Sequence, residues 1–354
     1  MMGRRPDRGN RFIRSTAAGT GVTLRRMEVR EYDADDAESV EASRLILNAA
    51  HRSDCPWLPE ITHHRREMHV RYGWDQSPER HLLACVDGVP VALAEVELTE
   101  WDNRDLAWIY LVVHPGHRGG GVGSAFLSEI CEVARQAGRT KIGGAWWQTP
   151  ATEAFAKRHG FELASQEIYR RVTLTDLPAG FADAAYTEAA AHATDYELVR
   201  VEGHAPAAML TALCEVTTSI NDAPLDDLDI EDEVFPVERI QDYESATLES
   251  GHRLYRLVAR HRESGGLAGH TVVAVDAERP QLAHQHDTSV VQSHRGHRLG
   301  LLLKADMMRW LGEVEPQVVS VDTWNAESND HMINVNERLG YRAMGRELAF
   351  QRRL

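Results

Sequence analysis

Positive charge is what this chain of 354 residues is short of: 39 Lys and Arg stand against 54 Asp and Glu, a formal net charge of −15. That argues against nucleic acid as the main partner, because a phosphate backbone is held by a basic face. Cysteine is scarce as well. Cys55, Cys85, Cys131 and Cys214 lie far apart with no C-x-x-C pair, which fits reduced thiols in a cytoplasm better than a disulfide framework or a zinc site. Long apolar runs are missing: AWIYLVV at 107–113 is strand-sized and no stretch of about 20 apolar residues exists, so no membrane span is expected. The basic start MMGRRPDRGNRFIRST is followed by no apolar run of the secretory kind; residues 1–20 are read as a flexible leader. What remains is the balance of a soluble globular protein, 43% hydrophobic and 26% charged, and long enough for two domains. An acidic surface favours a cationic or amine ligand, and it also serves solubility.

The chain repeats itself. HRGGGVGSAFL at 117–127 recurs as HRGHRLGLLLK at 294–304, with Arg118 and Arg295 177 residues apart, about half the chain. Around each copy the same elements follow in order. An apolar strand (WIYLVV; TSVV) leads into the glycine loop and then a helical run (VGSAFLSEICEVARQAG; LGLLLKADMMRWLGEVE). A second strand (KIGGAWW; VVSVDTW) and a short helix closing on glycine and an aromatic (AFAKRHGFE; NVNERLGYR) complete the set. Upstream, HLLACV and VALAEVEL join at Asp87-Gly88, and RLYRLVARH and LAGHTVVAV at Ser264-Gly265-Gly266, the signature of two hairpins. Helical segments precede them at 36–50, about 60–72, 205–217 and 238–250. The alanine-rich stretch 177–195 separates the halves, so the sequence is read as domains at 21–176 and 196–354 joined by that linker.

A strand that feeds a Gly-rich turn and then a helix aims backbone N–H groups and the positive helix end at one point, where an anion binds. The P-loop pattern needs Gly-Lys-Ser/Thr, which neither copy has. The dinucleotide pattern opens a first strand-helix unit of a parallel sheet, whereas these loops follow an antiparallel hairpin. The remaining pattern is R-x-x-G-x-G (Arg118, Gly121, Gly123), preceded by Val113-x-Pro115 and closed by Gly160-Phe161. Together these resemble the GNAT acyltransferase superfamily, and the duplication resembles its tandem members, among them mycothiol synthase and antibiotic-modifying acetyltransferases. The resemblance covers about 22–175 and 196–354. It implies an α/β (α+β) architecture of two tandem domains, each a mixed, mostly antiparallel central sheet flanked by helices. It also implies acetyl-CoA as cosubstrate, a small-molecule amine as acceptor, and no metal.

By the same resemblance, the coenzyme diphosphate falls to the amides of Arg118, Gly119, Gly120, Gly121, Val122 and Gly123. In the second copy it falls to Arg295, Gly296, His297, Arg298, Leu299 and Gly300, where Arg298 replaces Gly121. The oxyanion donor maps to the strand end, Val113 or His114 and Val290 or Val291. The proton-donating tyrosine of the family is missing: its place is held by Ala156 and Asn336. Asn325 and Asn329 resemble the stretch that lines the pantetheine arm, and the strand floor, where the family keeps general bases, offers His286 and Asp287. Strict alternation puts His284, His286 and Thr288 on one face and Gln285, Asp287 and Ser289 on the other, so only one of the two bases would face the cleft. His284-x-His286 also has metal-pair spacing, but no third ligand follows convincingly. The acid-rich NDAPLDDLDIEDEVF at 221–235 carries Asp222, Asp226 and Asp227 as candidate amine-binding groups and Glu231 and Glu233 as candidate proton acceptors; as a solvated loop it would do neither. On these residues the second half is the better equipped for catalysis. Two readings stay open: an N-acetyltransferase, or a coenzyme-binding or regulatory module whose catalysis has decayed.

Overall fold

The computed structural model describes residues 13–14 and 27–354. The leader assigned to residues 1–20 lies, apart from the short strand β1 (Ile13–Arg14), outside the described residues. By contacts the chain forms two units. One takes in the described residues up to Gly73, Ser77–Glu162 and Phe350–Leu354; the other takes in Trp74–Gln76 and Leu163–Ala349.

In the first unit, β2 (Met27–Tyr32), α1 (Ala37–Asp54), α2 (His63–Tyr72), β3 (Arg80–Val86), β4 (Val89–Glu97), β5 (Leu106–Val113), α3 (Val122–Gln136), β6 (Lys141–Trp147) and α4 (Pro150–Arg158) follow in order. The sheet runs β1-β2-β3-β4-β5-β6, antiparallel except between β5 and β6. Asp87 and Gly88 both have positive φ, as the two-residue hairpin turn requires, and join β3 to β4. Alternation decides the core. Leu83, Leu93 and Val112 pack against Val40, Ile46 and Leu47 of α1, leaving the equally buried Leu82, Ala92 and Ala94 for the opposite face.

The second unit contains most of β7 (Glu162–Thr173) and β13 (Arg342–Arg353). Between them in sequence come α5 (Phe181–Ala190), β8 (Tyr196–Glu202), α6 (Ala207–Thr218), α7 (Val237–Glu249), β9 (Arg253–His261), β10 (Leu267–Val275), β11 (Leu282–Val290), α8 (Leu299–Val314), β12 (Ser320–Ala326) and α9 (Asp330–Arg338). Its strand order is β13-β7-β12-β11-β10-β9-β8. Residues 177–195, read as a linker, hold α5, whose Ala189 is fully buried in the cluster that includes Leu299 and Leu303 of α8. The last strand of the first repeat, β7, pairs antiparallel with β12 along seven residues, from Ser320↔Thr173 to Ala326↔Glu167. Period-2 patterning makes β7 a strand without saying which sheet receives it.

The second unit also holds two neighbouring carboxylates, Glu167 and Glu347. Burial, reinforced by Glu167, pushes Glu347 up to about 8. A carboxyl raised on folding favours the native state while it is protonated, and that contribution is lost as pH rises from the ordinary carboxylate range toward 8. Glu347→Gln is therefore expected to raise the melting temperature at pH 8 and to leave it nearly unchanged at pH 4.5; equal effects at both pH values would contradict the burial argument.

Candidate active site

In each unit the two parallel strands pair over three residues only and then part. β5 and β6 meet at Leu106↔Lys141, Ala107↔Ile142 and Trp108↔Gly143; β11 and β12 meet at Leu282↔Ser320, Ala283↔Val321 and His284↔Asp322. In the first unit a cavity lies at the parted strand ends, where the glycine loop begins.

The two loops are built alike. Arg118 Nε donates to the Val113 carbonyl (3.0 Å) and its guanidinium grips Asp54 at the end of α1. Arg295 Nε donates to the Val290 carbonyl (3.1 Å) and Nη2 to Asp222 (2.5 Å). The arginine of each motif thus pins the loop from behind. Asp222, a candidate amine ligand on sequence, is engaged in this clasp. Gly119 and Gly121 have φ of 78° and 87°; their counterparts are Gly296 at 87° and Arg298 at 55°. A side chain in the left-handed region costs about 1 kcal/mol, so Arg298 keeps the loop shape at some expense. Its guanidinium turns to Glu188 of α5 (2.5 Å). Neither α3 nor α8 has a side-chain cap at its start, which leaves their first amides to a ligand.

In the first unit a cavity of about 240 Å³ lies over the loop, walled by Gly121, Gly123, Trp146, Phe155, Arg158 and the α1 residue His51. Two of its buried polar atoms, Trp146 Nε1 and His51 Nδ1, have no hydrogen-bond partner among the described residues. Burial lowers the His51 pKa and so favours the neutral imidazole. These are the features an acetyl-CoA arm would satisfy: uncapped amides for the diphosphate and unpaired polar atoms for the pantetheine. In the second unit Asn336 Nδ2 donates to Asn325 Oδ1 (3.2 Å), leaving the Asn325 Nδ2 donor and the Asn336 Oδ1 acceptor without a partner among the described residues. One donor beside one acceptor matches the demand of an amide. Asn329 caps α9 by accepting from the Met332 amide, and the Val291 and His114 amides donate to Ala268 and Val91 carbonyls within the sheet.

The two units differ in the strand before the loop. The β4–β5 ladder runs unbroken from Ala92↔Val113 to Glu97↔Trp108. In β11, Thr288 pairs with Thr271 and Gln285 with Val273, so His286 and Asp287 together oppose Val272 in a β-bulge. Simple alternation is therefore overturned. Gln285 and Thr288 share a face, both bonded to Thr271 Oγ1 (2.9 and 2.7 Å), because the extra residue resets the period. His286 Nδ1 lies 2.5 Å from Tyr243 Oη of α7. Asp287 faces the same neighbourhood: burial raises its carboxyl, while Arg256 and Arg239 draw it down. Both candidate bases thus sit on the α7 side. Burial above all, with Asp287 adding, holds the Tyr243 phenol well above its usual range and so protonated.

The acidic segment is ordered by its own contacts. Asn221 clamps the Glu233 backbone through both amide atoms, and Glu233 Oε2 accepts from Arg239 (3.1 Å). Asp226 accepts from Ser165 (2.6 Å), the Asp227 amide donates to Ala164, and Glu231 is exposed. Sequence reading missed Tyr243, His51 and Trp146. Each lies in an otherwise ordinary helix or strand, and only the bulge and the cavity single them out.

A sheet parted beside a helix start without a side-chain cap thus occurs twice among the described residues. Residues 47–161 match the acetyltransferase (GNAT) family. The chain superposes on a tandem GNAT protein from the clavulanic acid biosynthesis pathway with a TM-score of 0.75 and 24% identity, covering 93% of this chain and 98% of the other. A GCN5-related N-acetyltransferase from Sphaerobacter thermophilus gives 0.65 and 16%, over 92% and 95%. The glucosamine N-acetyltransferase region of a fungal multi-domain β-N-acetylglucosaminidase gives 0.62 and 14%, over 93% of this chain and 38% of that one. No curated protein matches. Residues 47–161 thus carry the GNAT acetyltransferase signature, and the chain as a whole has the fold of a tandem GNAT protein. Among the described residues no helix is long and apolar enough to cross a membrane.

Proposed function

We propose that the protein transfers the acetyl group of acetyl-CoA to a primary amine of a small cationic molecule, with the chemistry in the second unit. The observation that carries this reading is the bulge that turns both His286 and Asp287 toward α7, on the strand that leads into the loop Arg295–Gly300. Acetyl-CoA supplies an activated thioester; the chain must hold it, position the amine and move protons. The uncapped amides from Gly296 to Gly300 hold the diphosphate, and Asn325 and Asn336 the arm. His286, held by the Tyr243 hydroxyl at 2.5 Å from Nδ1, takes the proton of the incoming ammonium. Asp287 and the acidic segment draw the cation in. The similarity to a structure named for glucosamine N-acetylation supports an amine acceptor of this size.

A second reading has its own support: the cavity over the first glycine loop and the neutral His51 fit transfer in the first unit. The test is thiol release from acetyl-CoA with a panel of aminosugars, polyamines and aminoglycosides. Acceptor-dependent release that is lost in His286→Ala supports the proposal; loss in His51→Ala alone moves the chemistry to the first unit. Calorimetric binding of acetyl-CoA without turnover on the panel would make the protein a coenzyme-binding module.

The loops are tested separately. A Cβ on Gly123 would lie 3.1 Å from the Phe155 ring, whereas one on Gly300 meets no atom within 4 Å beyond its chain neighbours and its own helix backbone, so it has open space. Gly300→Asp places a carboxylate there, and coenzyme binding in the second unit is expected to weaken at least about a hundredfold, from like-charge repulsion. Gly123→Asp does the same in the first. Calorimetric stoichiometry unchanged in both variants would refute the loop assignment.

A further inference from the structure

Trp74 follows α2 in the first repeat, yet it belongs to the second unit. Its indole packs on Tyr243 at 5.1 Å and on His286 at 4.8 Å between ring centroids, and 54% of the residue remains exposed. A scattered exposed aromatic is ordinary; this one rests on the proposed base and on the phenol that holds it. The charges around it are unbalanced. Arg239 is engaged by Asp75 (3.0 Å) and Glu233, and Arg256 by Glu244. Asp242, on the next turn of α7, and Asp287 have no ion-pair partner among the described residues, and Asp242 is held above the usual carboxylate range by burial and by Glu238 and Asp75. An exposed indole face in this acid-rich neighbourhood, with Asp75 next in the chain and Asp242 coupled to it, is a seat for an organic cation.

We infer that Trp74 is a specificity-determining residue that holds a second positive charge of the acceptor, a short carbon chain away from the amine presented to His286. The acceptor class is then a di- or polyamine.

The inference rests on the reading of the second unit as the acceptor half, and the two fail differently. Spermidine binding to the full chain is measured by calorimetry for the wild type, Trp74→Ala and Trp74→Phe, with glucosamine as the singly charged control. Cation–π contacts of this kind are worth up to about tenfold in affinity. Trp74→Ala is expected to weaken spermidine about tenfold and glucosamine less than about twofold, with acetyl-CoA binding unchanged, and Trp74→Phe to recover most of the loss. Unchanged spermidine binding in Trp74→Ala, no spermidine binding by the wild type, or an equal loss for glucosamine would each overturn it. His286→Ala turning over spermidine at the wild-type rate would instead remove the reading beneath it, whatever the Trp74 variants do.

Discussion

His286→Ala is expected to lower the acceptor-dependent rate by about 10²–10⁴, the range that a positioned general base contributes. The size follows from the site. The amine arrives protonated at neutral pH and has to lose a proton before it attacks, and the bulge presents His286 to the α7 side with its ring held by Tyr243. Tyr243→Phe should cost less, about tenfold, because it removes the hydrogen bond that sets the tautomer and leaves the imidazole in place. The acetyl-CoA KM should stay within about twofold in both variants, since neither side chain belongs to the loop. A His286→Ala rate within a factor of about three of wild type would exclude the histidine as base.

The largest effect on stability is expected from Glu244→Gln. Glu244 and Arg256 are 1% and 2% exposed and form an ion pair, and Glu244 Oε2 also accepts from the Ala205 amide at 3.0 Å. Removing one member leaves a buried guanidinium without its counter-charge, which costs about 3–5 kcal/mol. For a unit of this size that corresponds to a fall of about 10 °C in the melting transition. Replacing both, Glu244→Gln with Arg256→Met, should recover most of the loss, because the penalty lies in the unpaired charge. A single variant that melts within 2 °C of wild type would show that water reaches Arg256. The pair also bears on the site, since Arg256 is one of the two cations that draw the Asp287 carboxyl down.

Much of the fold was legible. Asp87-Gly88 marked its hairpin because both residues must take positive φ, and the repeat of strand, glycine loop and helix marked both uncapped helix starts. The glycine pattern located the loops without revealing what the arginines do: Arg118 and Arg295 reach backward to Asp54 and Asp222, partners brought close by the ends of α1 and of the segment after α6. The face of His286 was read by alternation and overturned by one extra residue. A bulge leaves no mark in hydrophobic period when the residues on either side, Gln285 and Thr288, are themselves polar. Trp74 carried no signal at all, because its partners are more than 160 residues away in sequence.

By itself the sequence determined what depends on neighbours along the chain: which segments are strands and helices, where the backbone must turn, and that one architecture is written twice. Local dihedral preference and side-chain period are short-range properties, so a single chain displays them. Tertiary structure alone decided that β7 pairs with β12, that His286 and Asp287 share a side, and that Trp74 packs on His286 and Tyr243. Those outcomes depend on ladder register and on packing between distant segments, where a shift of one residue reverses a face, and no local pattern records which register has the lower free energy.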